Sequence, residues 1–278
     1  MELLINELSL KGQFNSIEEF INIALPPLLS VLKDTDSSRD LLYKKYDFYS
    51  SLVTPQNTLH DVVVGPISRQ YDEIRKFKTQ LVGLFENPFW EDSPKHSFND
   101  SYYFLENKIT GSSLAEACER DKIAISFICN EFNNNTLDVI KEKNTITVDN
   151  LFEKEHCLEV FKQRNFISFE HYCKSKFHES KLDFSQLYVK DGFDLIGKDD
   201  EELFYDGFRK FDELTWSQIN VDDSLDFKEF NNKNYFKEIE GKIHKFRISK
   251  KYRCFGYVKN GKFHALLFDL NHKLSDKG

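Results

Sequence analysis

Several features of membrane, secreted and nucleotide-binding proteins are missing from this sequence of 278 residues. No apolar run approaches the roughly 18 residues of a transmembrane helix. The opening residues, MELLINELSLKGQF, have neither the basic region nor the cleavage site of a secretory signal. With 11 glycines and no GxxxxGKS/T, GxGxxG or GxSxG motif, no phosphate cradle or nucleophile elbow is indicated. We therefore expect a protein that uses no cofactor and contacts no membrane.

Cysteine and methionine are also scarce. The five cysteines are scattered and odd in number, which indicates reduced thiols and a cytoplasmic location. Methionine occurs once and phenylalanine 27 times, so aromatic side chains should dominate the core. A hydrophobic content of 40% and a charged content of 30% are typical of a globular protein. The length suits one large domain or two modest ones.

Charge is unevenly distributed. The formal net charge is -8, which argues against a protein that coats nucleic acid but allows local contact with it. Residues 242–262 contain no Asp or Glu and eight cations: Lys242, Lys245, Arg247, Lys250, Lys251, Arg253, Lys259 and Lys262. Apolar and basic residues alternate here, which predicts an antiparallel β-meander with one face in a core and a basic face outward.

The remaining patterns predict an α+β protein with two domains. We expect a mainly helical mixed domain over 1–190 and a small β-meander domain over 191–278, divided where an acidic stretch (191–206) begins. Ser16 and Glu19 form a capping-box signature, so a helix should begin near Ile17. Further helices are predicted over 38–53, 67–86, 112–120, 150–164, 168–178 and 204–219. Strands are predicted over 2–10 and 123–130, with a hairpin over 137–148.

The C-terminal pattern of a helix, a basic connection and three antiparallel strands resembles the RelE/ParE superfamily of small bacterial toxins. The segments that carry the resemblance are KIHKFRIS, KYRCFGYV and KFHALLFDLNHK, within the last 80 or so residues. The resemblance implies a RelE-like sheet that binds RNA or the ribosome. In RNA-cleaving members a 2′-hydroxyl attacks the adjacent phosphate and no metal is needed.

Individual residues follow from this resemblance. Lys245 and Arg247 match the basic pair of the first strand, and Arg253 matches the Arg of a Tyr-Arg pair. His272 and Lys273 match the residues that follow the last strand. The implied catalytic residues are Arg247 and Arg253, which would neutralise phosphate charge, and His272, which would transfer protons. The implied RNA-binding residues are Lys245, Lys250, Lys251, Tyr252 and Lys273.

The chain also departs from that family. The C-terminal Tyr typical of the family is absent after His272, and the large N-terminal region is foreign to free-standing toxins. Some members of the superfamily act on gyrase and cut no RNA. The opening NELSLKGQF is similar to uncharacterised bacterial proteins, some of which are associated with phage-defence neighbourhoods, and this similarity implies no activity. We therefore expect a toxin-like or anti-phage protein, with a protein partner or antitoxin, or a non-catalytic interaction subunit of a defence complex.

Plainer interpretations remain open. A sheet face rich in Lys and Arg is often simply solvated, and the acidic stretch 191–206 could cover the basic one. A Cys/His group lacks the Cys-x-x-Cys spacing of a zinc site, so no metal is expected; its members are Cys157, His171, Cys173 and His178. Aromatic residues at 89–90 and 102–104 could stack on bases, although such clusters are usually core.

Overall fold

The computed structural model describes residues 1–24, 41–65, 87–231 and 235–274. The chain divides into two compact units, Met1–Phe166 (unit 1) and Ile167–Gly278 (unit 2). The change in composition predicted a division at residue 190, whereas the structure divides the chain at residue 166. The acidic stretch 191–206 lies inside unit 2. Within the described residues, no helix combines the length and apolar character needed to cross a bilayer.

A seven-stranded mixed sheet forms the centre of unit 1. Its strands are β1 (Glu2–Ile5), β2 (Leu41–Tyr43), β3 (Tyr102–Phe104), β4 (Asn107–Lys108), β5 (Ile123–Ile125), β6 (Thr136–Lys141) and β7 (Asn144–Leu151). Their order is β2-β1-β5-β7-β6-β3-β4. The first four are parallel, and the remainder continue antiparallel. Parallel strands are usually covered on both faces, which explains why β1 and β5 are short, continuous apolar runs.

The prediction of a mainly helical N-terminal domain is wrong, because this sheet is the main element of unit 1. The described part of the predicted helix 38–53 contains β2 and a 3₁₀ turn at Phe48–Ser50. Because β2 pairs with β1, which lies far away in sequence, a non-local contact overrides the local helical spacing. The helix predicted over 67–86 lies outside the described residues.

The described residues of unit 1 form the helices α1 (Ile17–Ile23), α2 (Leu59–Val64), α3 (Ser113–Glu119) and α4 (Lys154–Gln163). The predicted start of α1 is confirmed: it begins at Ile17, and the Glu19 amide donates to Ser16 Oγ at 3.0 Å. The strand predicted over 123–130 is present as β5, and the hairpin over 137–148 is present as β6 and β7.

A buried polar network connects α3 to the preceding loop. The carboxylate of Glu116 accepts hydrogen bonds from the amides of Lys95 and His96, from His96 Nδ1 at 2.6 Å and from Arg120 Nε at 2.5 Å. Burial alone would raise the pKa of Glu116, but these hydrogen bonds outweigh burial and lower the pKa to about 2. The network therefore depends on an ionised Glu116.

Unit 2 contains a five-stranded sheet and three helices. The helices are α5 (Phe169–Lys176), α6 (Glu201–Glu213) and α7 (Trp216–Ile219). The strands are β8 (Leu182–Asp183), β9 (Lys228–Phe230), β10 (Ile243–Arg247), β11 (Arg253–Lys259) and β12 (Lys262–Asp269). Their order is β8-β12-β11-β10-β9, in which β10, β11 and β12 form an antiparallel meander and β8 adds to β12 in parallel.

One face of this sheet packs on α6 through aromatic rings. The rings of Phe211 and Phe246 lie 4.5 Å apart, and those of Phe208 and Phe268 lie 5.6 Å apart. Gly207 permits the close approach, since a Cβ at this position would lie 3.0 Å from Ile248 Cγ2. Burial of these large rings should dominate the stability of unit 2.

A β-bulge interrupts the pairing of β11 with β12 next to Gly256. A Cβ on Gly256 would lie 2.2 Å from the carbonyl oxygen of His264, so only glycine fits here. Because a bulge adds one residue to one strand, the side chains beyond it exchange faces. His264 consequently comes opposite Tyr257, on the sheet face that points away from α6.

Candidate functional site

The strand register gathers four cations on the sheet face opposite α6. Arg247 lies directly opposite Arg253, and Lys245 lies directly opposite Lys228. Residues two apart on a strand share a face, so all four side chains point to the same side, while Phe246 points to α6. We call this group the cation face. Lys228 was missed in the sequence because it lies outside the basic segment, on a three-residue strand.

Lys245 occupies the centre of the cation face. The residue is only 8% exposed, and its Nζ lies 5.4 and 5.8 Å from the ring centroids of Phe230 and Phe255. Burial, together with the like charges of Lys228 and Arg253, lowers the pKa of Lys245. Among the described residues, no carboxylate lies within ion-pair distance of its Nζ. Within the part of the chain that the structure describes, the ammonium therefore contacts ring faces and has no direct counter-charge.

The two arginines are held differently. Arg247 Nη2 donates to Asp226 Oδ2 at 3.0 Å, whereas its buried Nε has no partner among the described residues. Arg253 Nη1 donates to the backbone carbonyls of the β10–β11 turn, at residues 249, 250 and 252. Arg253 thus fixes the turn as well as supplying charge.

The turn residues implied by the resemblance lie at two different places. Lys250 is exposed in the turn beside Arg247 and Arg253, whereas Lys251 is exposed in the same turn but directs its Nζ to the Tyr252 hydroxyl at 3.1 Å. Tyr252 is buried on the α6 side: its hydroxyl donates to Asp200 Oδ2 at 2.8 Å, and its ring stacks on Phe204 at 5.3 Å. The structure therefore does not bring Tyr252 to the cation face.

Asp269, the last residue of β12, pairs with Arg253, the first residue of β11. His272 and Lys273 therefore follow β12 at the end of the sheet where Arg253 lies. His272 is half-buried and has a left-handed backbone conformation, with φ of 56°. The Asp269 carboxylate accepts hydrogen bonds from the amides of Lys273 and Leu274 at 2.9 and 3.1 Å. This carboxylate fixes the turn that carries His272.

The acidic stretch 191–206 contacts the meander through Asp200, which accepts a hydrogen bond from the Tyr252 hydroxyl, and through the rings of Phe193 and Phe204. The cation face has carboxylates from other segments: Asp269 at the end of β12 lies directly opposite Arg253, and Asp226 lies in the loop before β9. The Asp226 carboxylate lies 3.1 Å from Lys228 Nζ and 3.0 Å from Arg247 Nη2. Local composition therefore misidentified the internal counter-charge.

A histidine–carboxylate pair lies elsewhere on the same sheet. His264 Nδ1 lies 2.8 Å from Asp183 Oδ2, without hydrogen-bond alignment, and its ring stacks on Tyr257 at 4.8 Å. Burial would raise the pKa of Asp183, but hydrogen bonds from Ser185 and the His264 charge lower it. The sequence gives no local signal for this pair, because β8 joins β12 from about 80 residues away.

A metal site requires several His, Cys, Asp or Glu side chains that lie close together. In the described part of the chain, no three His, Cys, Asp or Glu side chains converge in a geometry suited to a metal ion. Cys157 and Cys173 are both buried in helices.

Relatives of the chain give no independent assignment of this site. No family model, no curated protein and no solved structure matches the sequence. The resemblance of the meander to RelE/ParE proteins therefore remains a prediction. The cation face is the structural feature from which a function can be inferred.

Proposed function

We propose that unit 2 binds single-stranded RNA, free or within the ribosome, through the cation face. The observation that carries this proposal is Lys245, a residue only 8% exposed whose ammonium has no carboxylate partner among the described residues. Burying a charge is costly unless an opposite charge and hydrogen bonds accompany it. Phosphate oxygens supply both, and the neighbouring guanidinium of Arg247 suits the same ligand.

The size of the cation face favours one nucleic-acid backbone over two. Its residues occupy three adjacent strands, β9, β10 and β11, which together span about 10 Å. That width accommodates successive phosphates of a single strand. Such contacts position the backbone and carry no sequence information, so we expect weak sequence preference.

We extend the proposal to metal-independent cleavage, following the RelE resemblance. Arg247 and Arg253 would neutralise the scissile phosphate as the 2′-hydroxyl attacks it. His272 would transfer a proton to the departing 5′-oxygen or accept one from the nucleophile. The setting would be a bacterial cytoplasm, in a toxin-like or anti-phage protein with a protein partner or antitoxin.

A second candidate function has one observation in its favour. Asp226 already places a carboxylate on Lys228 and Arg247, so an acidic protein segment would meet compatible chemistry there. In that case unit 2 would be a non-catalytic interaction module of a larger complex.

RNA binding is tested with a short fluorescein-labelled oligoribonucleotide and fluorescence anisotropy. We expect the wild-type affinity to fall roughly 7- to 18-fold between about 50 and 200 mM salt, as two to three phosphate contacts to a single strand would require. The Lys245→Met/Arg247→Met variant should lower the slope of log affinity against log salt by about 1.4.

The matched control is Lys259→Met/Lys262→Met. It removes the same charge from the same segment at the opposite end of β11 and β12. Equal losses of affinity in both variants, or no RNA binding by the wild type, would refute the proposal.

Cleavage is tested separately by expressing the wild type and Lys245→Met/Arg247→Met in bacteria and following growth and total RNA. Intact total RNA in cells that express either protein would refute the cleavage proposal and would leave the RNA-binding proposal standing.

A further inference from the structure

The loop before β9 is built to hold Asp226 in one position. The Asp222 side chain accepts hydrogen bonds from the amides of Ser224 and Leu225 at 3.0 and 2.8 Å. The Asp226 amide donates to the Asp222 carbonyl at 3.0 Å, and the Arg247 amide of β10 donates to the Leu225 carbonyl at 2.6 Å. These bonds connect the loop directly to the strand that carries the cation face.

Asp226 has an unfavourable backbone conformation within this loop. Its φ is 45°, in the left-handed region that side-chain-bearing residues rarely adopt. Such positions persist only where the surrounding structure enforces them, and they concentrate at functional sites. The hydrogen bonds of Asp222 provide that enforcement, so the position of the Asp226 carboxylate is imposed by the loop.

The Asp226 carboxylate satisfies the cation face only in part. It bridges Lys228 Nζ and Arg247 Nη2, and its charge also favours the ammonium form of Lys245. It leaves Arg247 Nε without a hydrogen bond, however, and it does not reach ion-pair distance of Lys245. A guanidinium can donate two parallel bonds to a phosphate, which has more oxygens to offer.

We propose that Asp226 occupies the position of one RNA phosphate and acts as a built-in competitor of the ligand. A carboxylate and a phosphodiester each carry one negative charge, so they compete for the same cations. Binding then requires the Asp226 carboxylate to leave Arg247 and Lys228, which lowers the affinity of the resting protein. This inference rests on the proposed function and concerns the regulation of that same site.

The test compares Asp226→Asn with Asp223→Asn in the RNA-binding assay. Asn tolerates the left-handed conformation, so Asp226→Asn should preserve the loop. Asp223 is an exposed acid of the same loop, and its substitution changes the net charge equally. We expect Asp226→Asn to tighten RNA binding about tenfold and to steepen the salt slope by about 0.7. Asp223→Asn should change affinity less than about twofold, because exposed charges are screened beyond about 8 Å at physiological salt.

The outcomes separate this inference from the function on which it rests. Wild-type binding that is unchanged or weakened by Asp226→Asn overturns the competitor role and leaves RNA binding intact. Equal tightening by both variants also overturns it, because net charge alone would then account for the effect. If neither protein binds, both proposals fall.

Discussion

Replacing Lys245 with Met should stabilise unit 2 and weaken its binding to RNA. Met has a similar length, and its thioether makes favourable contacts with aromatic rings, here Phe230 and Phe255. The lowered pKa of Lys245 means that the folded state disfavours the ammonium relative to the unfolded chain. The penalty is fully present below the folded pKa, and it is lost as the pH rises from the folded pKa to the unfolded pKa.

The two effects have different magnitudes. Relief of an unfavourable charge typically stabilises a protein by about 0.5–2 kcal/mol, and the lost cation–π contacts, about 0.5–1 kcal/mol each, offset part of this gain. The Met thioether replaces those cation–π contacts with sulfur–aromatic contacts of about 0.3–1.5 kcal/mol each, so a net stabilisation of about 1 kcal/mol is expected. A hydrogen bond to a charged group contributes about 1.5–3 kcal/mol, so loss of one phosphate contact should weaken RNA binding by about tenfold or more.

Hydrogen exchange of peptides from β10 to β12 measures the first effect, and anisotropy with labelled RNA measures the second. Lys259→Met is the control, since Lys259 is exposed at the end of the same meander and should change neither quantity appreciably. Destabilisation by more than about 1 kcal/mol would show that the ammonium supports the fold. Unchanged RNA affinity would show that Lys245 lies outside the interface. Either result refutes the reasoning.

Two further predictions concern the hydrogen-bonded carboxylates. Unit 1 should lose about 2–3 kcal/mol of stability as the pH falls from about 5 to about 2, because the pKa of Glu116 is depressed from 4.5 to about 2 in the folded state. In a Trp216→Phe background, urea unfolding followed by Trp90 fluorescence should show this loss, and Glu116→Gln should flatten it; an unchanged pH dependence would contradict the assignment. Tyr252→Phe should cost about 1 kcal/mol through the lost bond to Asp200, measured by hydrogen exchange of unit 2. Its RNA affinity should stay within about twofold, and a larger loss would place Tyr252 in the interface.

Local patterns predicted the meander because strand alternation is a property of neighbouring residues. Lys245, Phe246 and Arg247 occupy successive positions, so period two alone assigns the cations to one face and the ring to the other. The capping signature at Ser16 located the start of α1 for the same reason, since its partner is three residues away.

Features that depend on pairing between segments far apart in the sequence could not be predicted from local patterns. The three-residue strand β2 is too short for its spacing to exclude a helix, and its parallel partner β1 comes from elsewhere in the chain. Asp226, which lies about 20 residues before Arg247, reaches it only after the loop folds back against β10. Composition therefore identified three of the four cations, without Lys228, and did not identify the Asp226 carboxylate that accompanies them.

The parallel pairing of β8 with β12 determines where a fragment containing unit 2 must begin. A fragment that begins at residue 191, the boundary indicated by composition, would lack both α5 and β8. The outer edge of β12 would then expose unpaired backbone groups at Phe263 and His264, and an open edge of this kind invites aggregation. A fragment that begins at Ile167 retains β8, so it is the shorter protein to express when unit 2 is studied alone.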